Sequence, residues 1–153
     1  MTLKALSLTQ PWASLVVLGI KKIETRSWRT SYRGVLVIHA AKGFPRWARD
    51  LCGDYPWSLA LTNHGLSRPE ELPVGALLGA VMVQNCLQTT SDLQAVLSDE
   101  ERQLGDYAPD RFAWQLSHAL RFPRPIPCKG ALGLWEIPPV ELGAVEAVVG
   151  FQD

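Results

Sequence analysis

Six short segments rich in β-branched and aromatic residues, each closed off by glycine or proline, constrain what this chain can fold into more than any other feature. They cover residues 4–8, 22–28, 34–40, 77–86, 111–117 and 132–137, and predict six strands. Three helical patterns lie between them. The first, residues 13–18, has Thr9 or Gln10 near its cap, Pro11 in its first turn and Gly19 as a left-handed stop, with Trp12, Leu15, Val16 and the flanking Val17 as its apolar strip. The second spans residues 45–61 and is interrupted near 53–56; the third spans residues 91–104 and starts at Ser91-Asp92. Helices grouped between strands, without regular alternation, predict an α+β barrel or roll with a strongly curved sheet and argue against a doubly wound parallel sheet. Pro138-Pro139 ends the expected core. One domain is therefore expected over residues 1–138, followed by a C-terminal extension, 139–153, that is either a partner surface or a loose tail.

The chain has 153 residues, 47% hydrophobic and 20% charged, enough to bury a core without a disulfide or structural metal. No apolar run reaches the roughly 18 residues of a membrane span. The N-terminus lacks the basic and apolar regions of a leader, and the chain reads as cytoplasmic. Cys52, Cys86 and Cys128 form no CxxC pair, and His39, His64 and His118 are scattered, so no metal site and no cofactor are expected. A net charge of zero hides an asymmetry: residues 1–50 hold nine basic groups against Glu24 and Asp50. These cations sit among Trp12, Trp28, Tyr32 and Trp47, a mixture suited to single-stranded nucleic acid, although such a cluster is commonly only a solvated basic face.

Strand alternation over residues 22–28 puts Lys22, Glu24, Arg26 and Trp28 on one face and Ile23, Thr25 and Ser27 on the other. Lining a cleft, Arg26 would grip phosphate, Trp28 would stack on a base, and Glu24 would accept protons from an amine or a sugar hydroxyl. The competing reading is a surface Glu-Arg pair beside a structural Trp. Lys21, in the turn before the strand, has no direction set by alternation. Gln10 at a helix start suits a small anion or carbonyl site, whereas Trp12 falls on the apolar strip as a support. Arg33 reads as an exposed cation unless the cleft passes over it, His39 as a strand-end residue with a structural or a catalytic role, and Lys129 as a phosphate contact or a solvated turn residue.

The run Ala5-Leu6-Ser7-Leu8-Thr9-Gln10-Pro11-Trp12, then Leu18-Gly19-Ile20-Lys21-Lys22-Ile23-Glu24-Thr25-Arg26-Ser27-Trp28, Tyr32-Arg33-Gly34 and Ile38-His39-Ala40-Ala41-Lys42 closely resembles the ASCH family, the activating-signal-cointegrator homology domains of the PUA-like superfamily. Leu72-Pro73-Val74-Gly75-Ala76, Arg111-Phe112-Ala113-Trp114, Pro127-Cys128-Lys129-Gly130 and Leu134-Trp135 fit in order and spacing. The resemblance implies a PUA-like mixed β-barrel with short helices flanking a cleft. It further implies binding of RNA, another single-stranded nucleic acid or a modified nucleoside through Gln10, Trp12, Lys21, Glu24, Arg26, Ser27, Trp28, Arg33, His39 and Lys129.

Some bacterial relatives are hydrolases of N4-acylated cytidine or of RNA. The resemblance gives the amidohydrolases a Lys, a hydroxyl residue three positions later and a distant carboxylate. Lys21 matches the first member, but Glu24 stands where the hydroxyl should be. Lys21 and Glu24 remain candidate catalytic residues if Glu24 activates water, or if Ser7 or Thr9 supplies a hydroxyl; Glu100 or Glu101 is the candidate distant carboxylate. A metal-free ribonuclease would draw on Glu24, His39 and Lys21. A third reading is a protein-interaction domain that kept the fold and lost the ligand.

Overall fold

The computed structural model describes residues 3–150. Its six strands form one sheet in the order β2-β5-β4-β3-β1-β6. In chain order these are β1 (Lys4–Leu8), β2 (Ile23–Arg26), β3 (Gly34–Ala40), β4 (Ala76–Gln88), β5 (Phe112–Pro127) and β6 (Leu134–Glu136). β1 and β3 pair in parallel, and every other neighbouring pair is antiparallel. The sheet is mixed and curls into a half-barrel carrying several short helices, so the fold is α+β.

α1 (Trp12–Val17) crosses one face of the sheet and ends as expected, with Gly19 left-handed at φ 75°. The 45–61 pattern is two helices, α2 (Arg46–Leu51) and α3 (Trp57–Thr62), and the 91–104 pattern is also two, α4 (Ser91–Val96) and α5 (Asp99–Leu104). The second division follows from capping: the hydroxyl of Thr90 accepts from the Leu93 amide and that of Ser98 from the Glu101 amide, so each short helix has its own start.

Strand lengths differ most at the ends. β2 stops at Arg26, which leaves Ser27 and Trp28 outside the strand expected to carry them. β5 runs ten residues past the expected end at Ser117, through Pro123, Pro125 and Pro127. Those prolines are tolerated because β2 pairs only with Phe112 to Gln115, leaving the far half of β5, among the described residues, without a neighbouring strand on that side. Register shifts in the β4–β5 pairing, at Leu77/Gly79, Ala80/Met82 and Val83/Asn85, supply the bending that curls the sheet.

Alternation along β1 and β3 feeds two cores. Leu6, Leu8, Leu36 and Ile38 join Ala13, Val16 and Trp114 beneath α1, while Leu3, Ala5 and Val37 join Leu77, Phe122 and Trp135 on the opposite face. A third cluster, Leu15, Cys52, Leu61, Leu72 and Leu104, ties α1 to the other short helices. The extension after Pro138 forms α6 (Pro139–Val149), which packs on β5 and sends a fully buried Val145 into the second core. The rest of that extension, 151–153, lies outside the described residues. Among the described residues, no helix is long and apolar enough to cross a membrane.

Candidate nucleic-acid interface

A cleft of about 420 Å³ opens between β2, the end of β1 and helices α1, α2, α3 and α5. Its floor is ionic and begins with Lys21, whose side chain is 2% exposed. Lys21 Nζ lies 3.4 Å from Glu101 Oε2, donates to the carbonyl of Ile23, and sits 5.7 Å from the centre of the Tyr107 ring. Glu101 reaches β2 because Ser98 starts α5 three residues earlier. Its carboxylate accepts from the Lys22 amide through Oε1 and from the Tyr107 hydroxyl through Oε2 at 2.9 Å. The Tyr107 phenol is driven above its ordinary pKa, first by burial and then by the Glu101 charge. Gly105 gives these groups room, since a Cβ on it would stand 2.9 Å from the Tyr107 ring and 3.0 Å from Lys21 Nζ and would push one of them aside.

Glu24 is buried opposite Trp114 on β5, and Arg26 lies opposite Phe112. Alternation therefore correctly predicts these two side chains on one face. Arg26 Nη1 donates to Glu24 Oε2 at 3.3 Å. Burial raises the Glu24 pKa, and the charges of Lys21, Arg26 and Arg111 only partly oppose the rise. Arg111 completes the floor: Nη2 donates to the Thr25 carbonyl at 2.8 Å, and Nε faces Asp106 Oδ2 at 3.6 Å.

The wall is aromatic. Trp12 donates its indole N–H to the Leu104 carbonyl at 2.9 Å, which holds α1 against α5, and its ring lies 5.9 Å from that of Trp47 with a tilt of 47°. Trp47 is 60% exposed. Trp57 also lines the cleft, and its indole nitrogen is buried without a hydrogen-bond partner among the described residues.

The expected site residues thus divide. Trp12, Lys21, Glu24 and Arg26 come together. Gln10 and Trp12 exchange places relative to expectation: Gln10 is fully buried, its amide bonded to Ser14 and to the Pro73 carbonyl, while Trp12 faces the cleft. Trp28 lies past the end of β2 and outside the cleft lining; it packs edge-on against Trp114, the cross-strand partner of Glu24, with centroids 4.9 Å apart and the Arg26 guanidinium 5.8 Å from its ring centre. Lys22 and Ser27 are exposed outside the lining. Arg33 is exposed as well, donating to the carbonyls of Thr30 and Tyr32 and to Asn85. His39 and Lys129 line a second hollow on the other side of the sheet, so the Glu24, His39 and Lys21 set for RNA cleavage is not assembled.

The cleft also holds residues that strand alternation did not single out: Trp57, Asp106 and Arg111. They come from loops and helices far apart in the chain. For Glu101, the Ser98-x-x-Glu101 capping pattern was a usable signal.

The curated relatives include activating signal cointegrator 1 of Homo sapiens and of Mus musculus, each 31% identical over 134 residues and 86% of this chain. The chain spans only 22% of the length of either. Among solved structures, ASCH from Zymomonas mobilis superposes with a TM-score of 0.54 at 15% identity, covering 95% of this chain and 94% of that one. A point mutant of that Zymomonas mobilis protein gives a TM-score of 0.56, also at 15% identity, with 95% and 96% covered. At that identity the likeness establishes the fold alone. The ASCH domain model matches residues 6–126, and with these relatives it shows that the chain belongs to the ASCH domain family, a PUA-like family suggested to bind RNA.

Proposed function

We propose that the protein binds RNA or another single-stranded nucleic acid, holding one or two bases in the cleft between Trp47 and the Lys21, Glu24, Arg26 and Arg111 floor. The observation that carries this reading is the exposed Trp47 ring set beside Trp12 above buried charges of both signs. An exposed indole supplies a stacking face that does not depend on the base, Arg26 and Arg111 attract phosphate, and Glu24 accepts from an exocyclic amine. A short oligoribonucleotide titrated by tryptophan fluorescence over a salt series tests it. Log affinity is expected to fall linearly with log salt, Arg26→Ala to make the slope shallower by about one, and Trp47→Ala to weaken binding by about 1–3 kcal/mol. Affinity indifferent to both salt and Trp47→Ala overturns the proposal.

One observation favours a second reading, hydrolysis of an N4-acylated cytidine: Glu101 meets Lys21 at the floor of the cleft, as a distant carboxylate would. In these contacts Lys21 is a donor, suited to steadying an oxyanion, while the proton-accepting role falls to Glu24. N4-acetylcytidine turnover that is unchanged in both Lys21→Ala and Glu24→Ala removes this machinery.

A further inference from the structure

The second hollow, about 910 Å³ and open to solvent, lies at the end of β1 and β3 and is lined by Ser7, His39, Lys42, Lys129 and Gly130 with an apolar rim that includes Val74 and Leu132. Ser7 and His39 are direct partners in the parallel β1–β3 register. Ser7 Oγ lies 2.9 Å from His39 Nδ1, and His39 Nε2 lies 2.7 Å from the Cys128 carbonyl oxygen. A carbonyl can only accept, so Nε2 carries the imidazole proton and Nδ1 is the free acceptor of the neutral ring. Ser7 therefore donates its hydroxyl proton to His39. Trp135 agrees with this direction, because its indole N–H donates to Ser7 Oγ at 3.2 Å and its ring braces the imidazole edge-on at 5.4 Å.

The arrangement is a hydroxyl, a base and an orienting acceptor in series, with a main-chain carbonyl in the place a carboxylate often takes. Gly130 packs directly against the pair. A Cβ on Gly130 would stand 2.7 Å from Ser7 Oγ and 2.6 Å from His39 Cε1, so only a residue without a side chain leaves the Ser7–His39 contact in place.

We propose that Ser7 is a nucleophile activated by His39, and that this hollow takes esters with an anionic alcohol half. Ser7 Oγ bonds to the acyl carbon as its proton passes to His39 Nδ1. The acyl–oxygen bond then breaks, and the alcohol leaves with that proton. Water, deprotonated in turn by His39, attacks the acyl-serine, and the carboxylic acid departs as Ser7 recovers its hydrogen. Lys42 and Lys129 supply positive charge for the oxyanion and for an anionic leaving half, and no carboxylate appears in the lining among the described residues. Burial lowers the His39 pKa, with the Cys128 carbonyl opposing the change, so the base is neutral and ready near pH 7. The groups facing it are the Ser7 hydroxyl from β1, the Cys128 carbonyl and Gly130 from the loop after β5, and Trp135 from β6; Lys42, Lys129 and the Cys128 residue line the same hollow.

Diisopropyl fluorophosphate tests the proposal on the intact protein: Oγ–P forms, P–F breaks, and fluoride and the serine proton leave. Peptide mass spectrometry is expected to find the adduct on Ser7, and His39→Gln to slow its formation at least tenfold. Gly130→Ala is expected to slow it too by forcing Ser7 and His39 out of their 2.9 Å contact, with thermal melts confirming that each variant is folded. Should His39→Gln fail to fold, the pH profile of the unaltered protein decides. A labelling rate that levels off above a midpoint below 6.5 supports His39 as the base, whereas one that keeps climbing above pH 9 overturns it. Absence of an adduct on Ser7, or a rate indifferent to His39→Gln, also overturns it.

Discussion

Glu24 is a carboxyl group confined beside three cations that do not fully offset the cost of taking it out of water, and its raised pKa makes that cost measurable. Because the folded protein holds the proton more tightly than the unfolded chain, Glu24 contributes most to stability below its ordinary value of 4.5. That contribution is lost as pH rises through the raised folded pKa. The Glu24→Gln variant, which cannot ionise, is therefore expected to gain on the unaltered protein between pH 4.5 and neutrality. The gain is about 1.4 kcal/mol for each tenfold change in proton affinity, read from urea unfolding at a series of pH values. Lys21 behaves differently. Removing one partner of a buried ion pair leaves the other charge stranded, so Lys21→Ala is expected to cost about 3–5 kcal/mol. The exposed neighbour Lys22→Ala is expected to change stability by no more than about 0.5 kcal/mol in the same assay. Two adjacent lysines look alike in the sequence; burial separates them.

At the scale of elements, glycines report where backbones approach. α1 lies so close to β4 that a Cβ on Gly79 would stand 2.9 Å from Val17 and overlap the Leu120 carbonyl of β5, whereas a Cβ on Gly143 of α6 meets nothing within 4 Å among the described residues. The same substitution therefore has opposite signs. Gly79→Ala is expected to destabilise by about 1–3 kcal/mol through overpacking. Gly143→Ala is expected to stabilise by up to about 1 kcal/mol through helix propensity. Thermal and chemical melts of both variants check this. The strands themselves were legible because β-branched residues and glycine stops mark them. The full length of β5 was not, because whether proline ends a strand depends on whether a neighbour needs its N–H, and that is a property of the sheet.

For the molecule as a whole, alternation across one sheet places the two hollows on opposite faces: Glu24 and Arg26 on the side of α1, and Ser7 and His39 on the side of Trp135. Functions proposed for them are expected to be separable. Saturating the first cleft with an oligoribonucleotide should leave the rate of fluorophosphate labelling at Ser7 unchanged. Trp47→Ala should weaken RNA binding by about 1–3 kcal/mol without altering that rate. A labelling rate that falls in proportion to occupancy of the first cleft would contradict the separation.

Sequence alone determined the family, the α+β class, the direction of Glu24 and Arg26 along β2, and the glycine that stops α1, because each depends on residues within a few positions of one another or on a pattern in fixed order. It did not determine that Gln10 would be sealed inside, that Trp28 would turn toward Trp114, or that His39 and Lys129 would leave the first cleft for a hollow of their own. Those outcomes depend on where a strand stops and on which side of the sheet a distant loop returns, and both are decided by packing among residues that lie 80 to 128 positions apart.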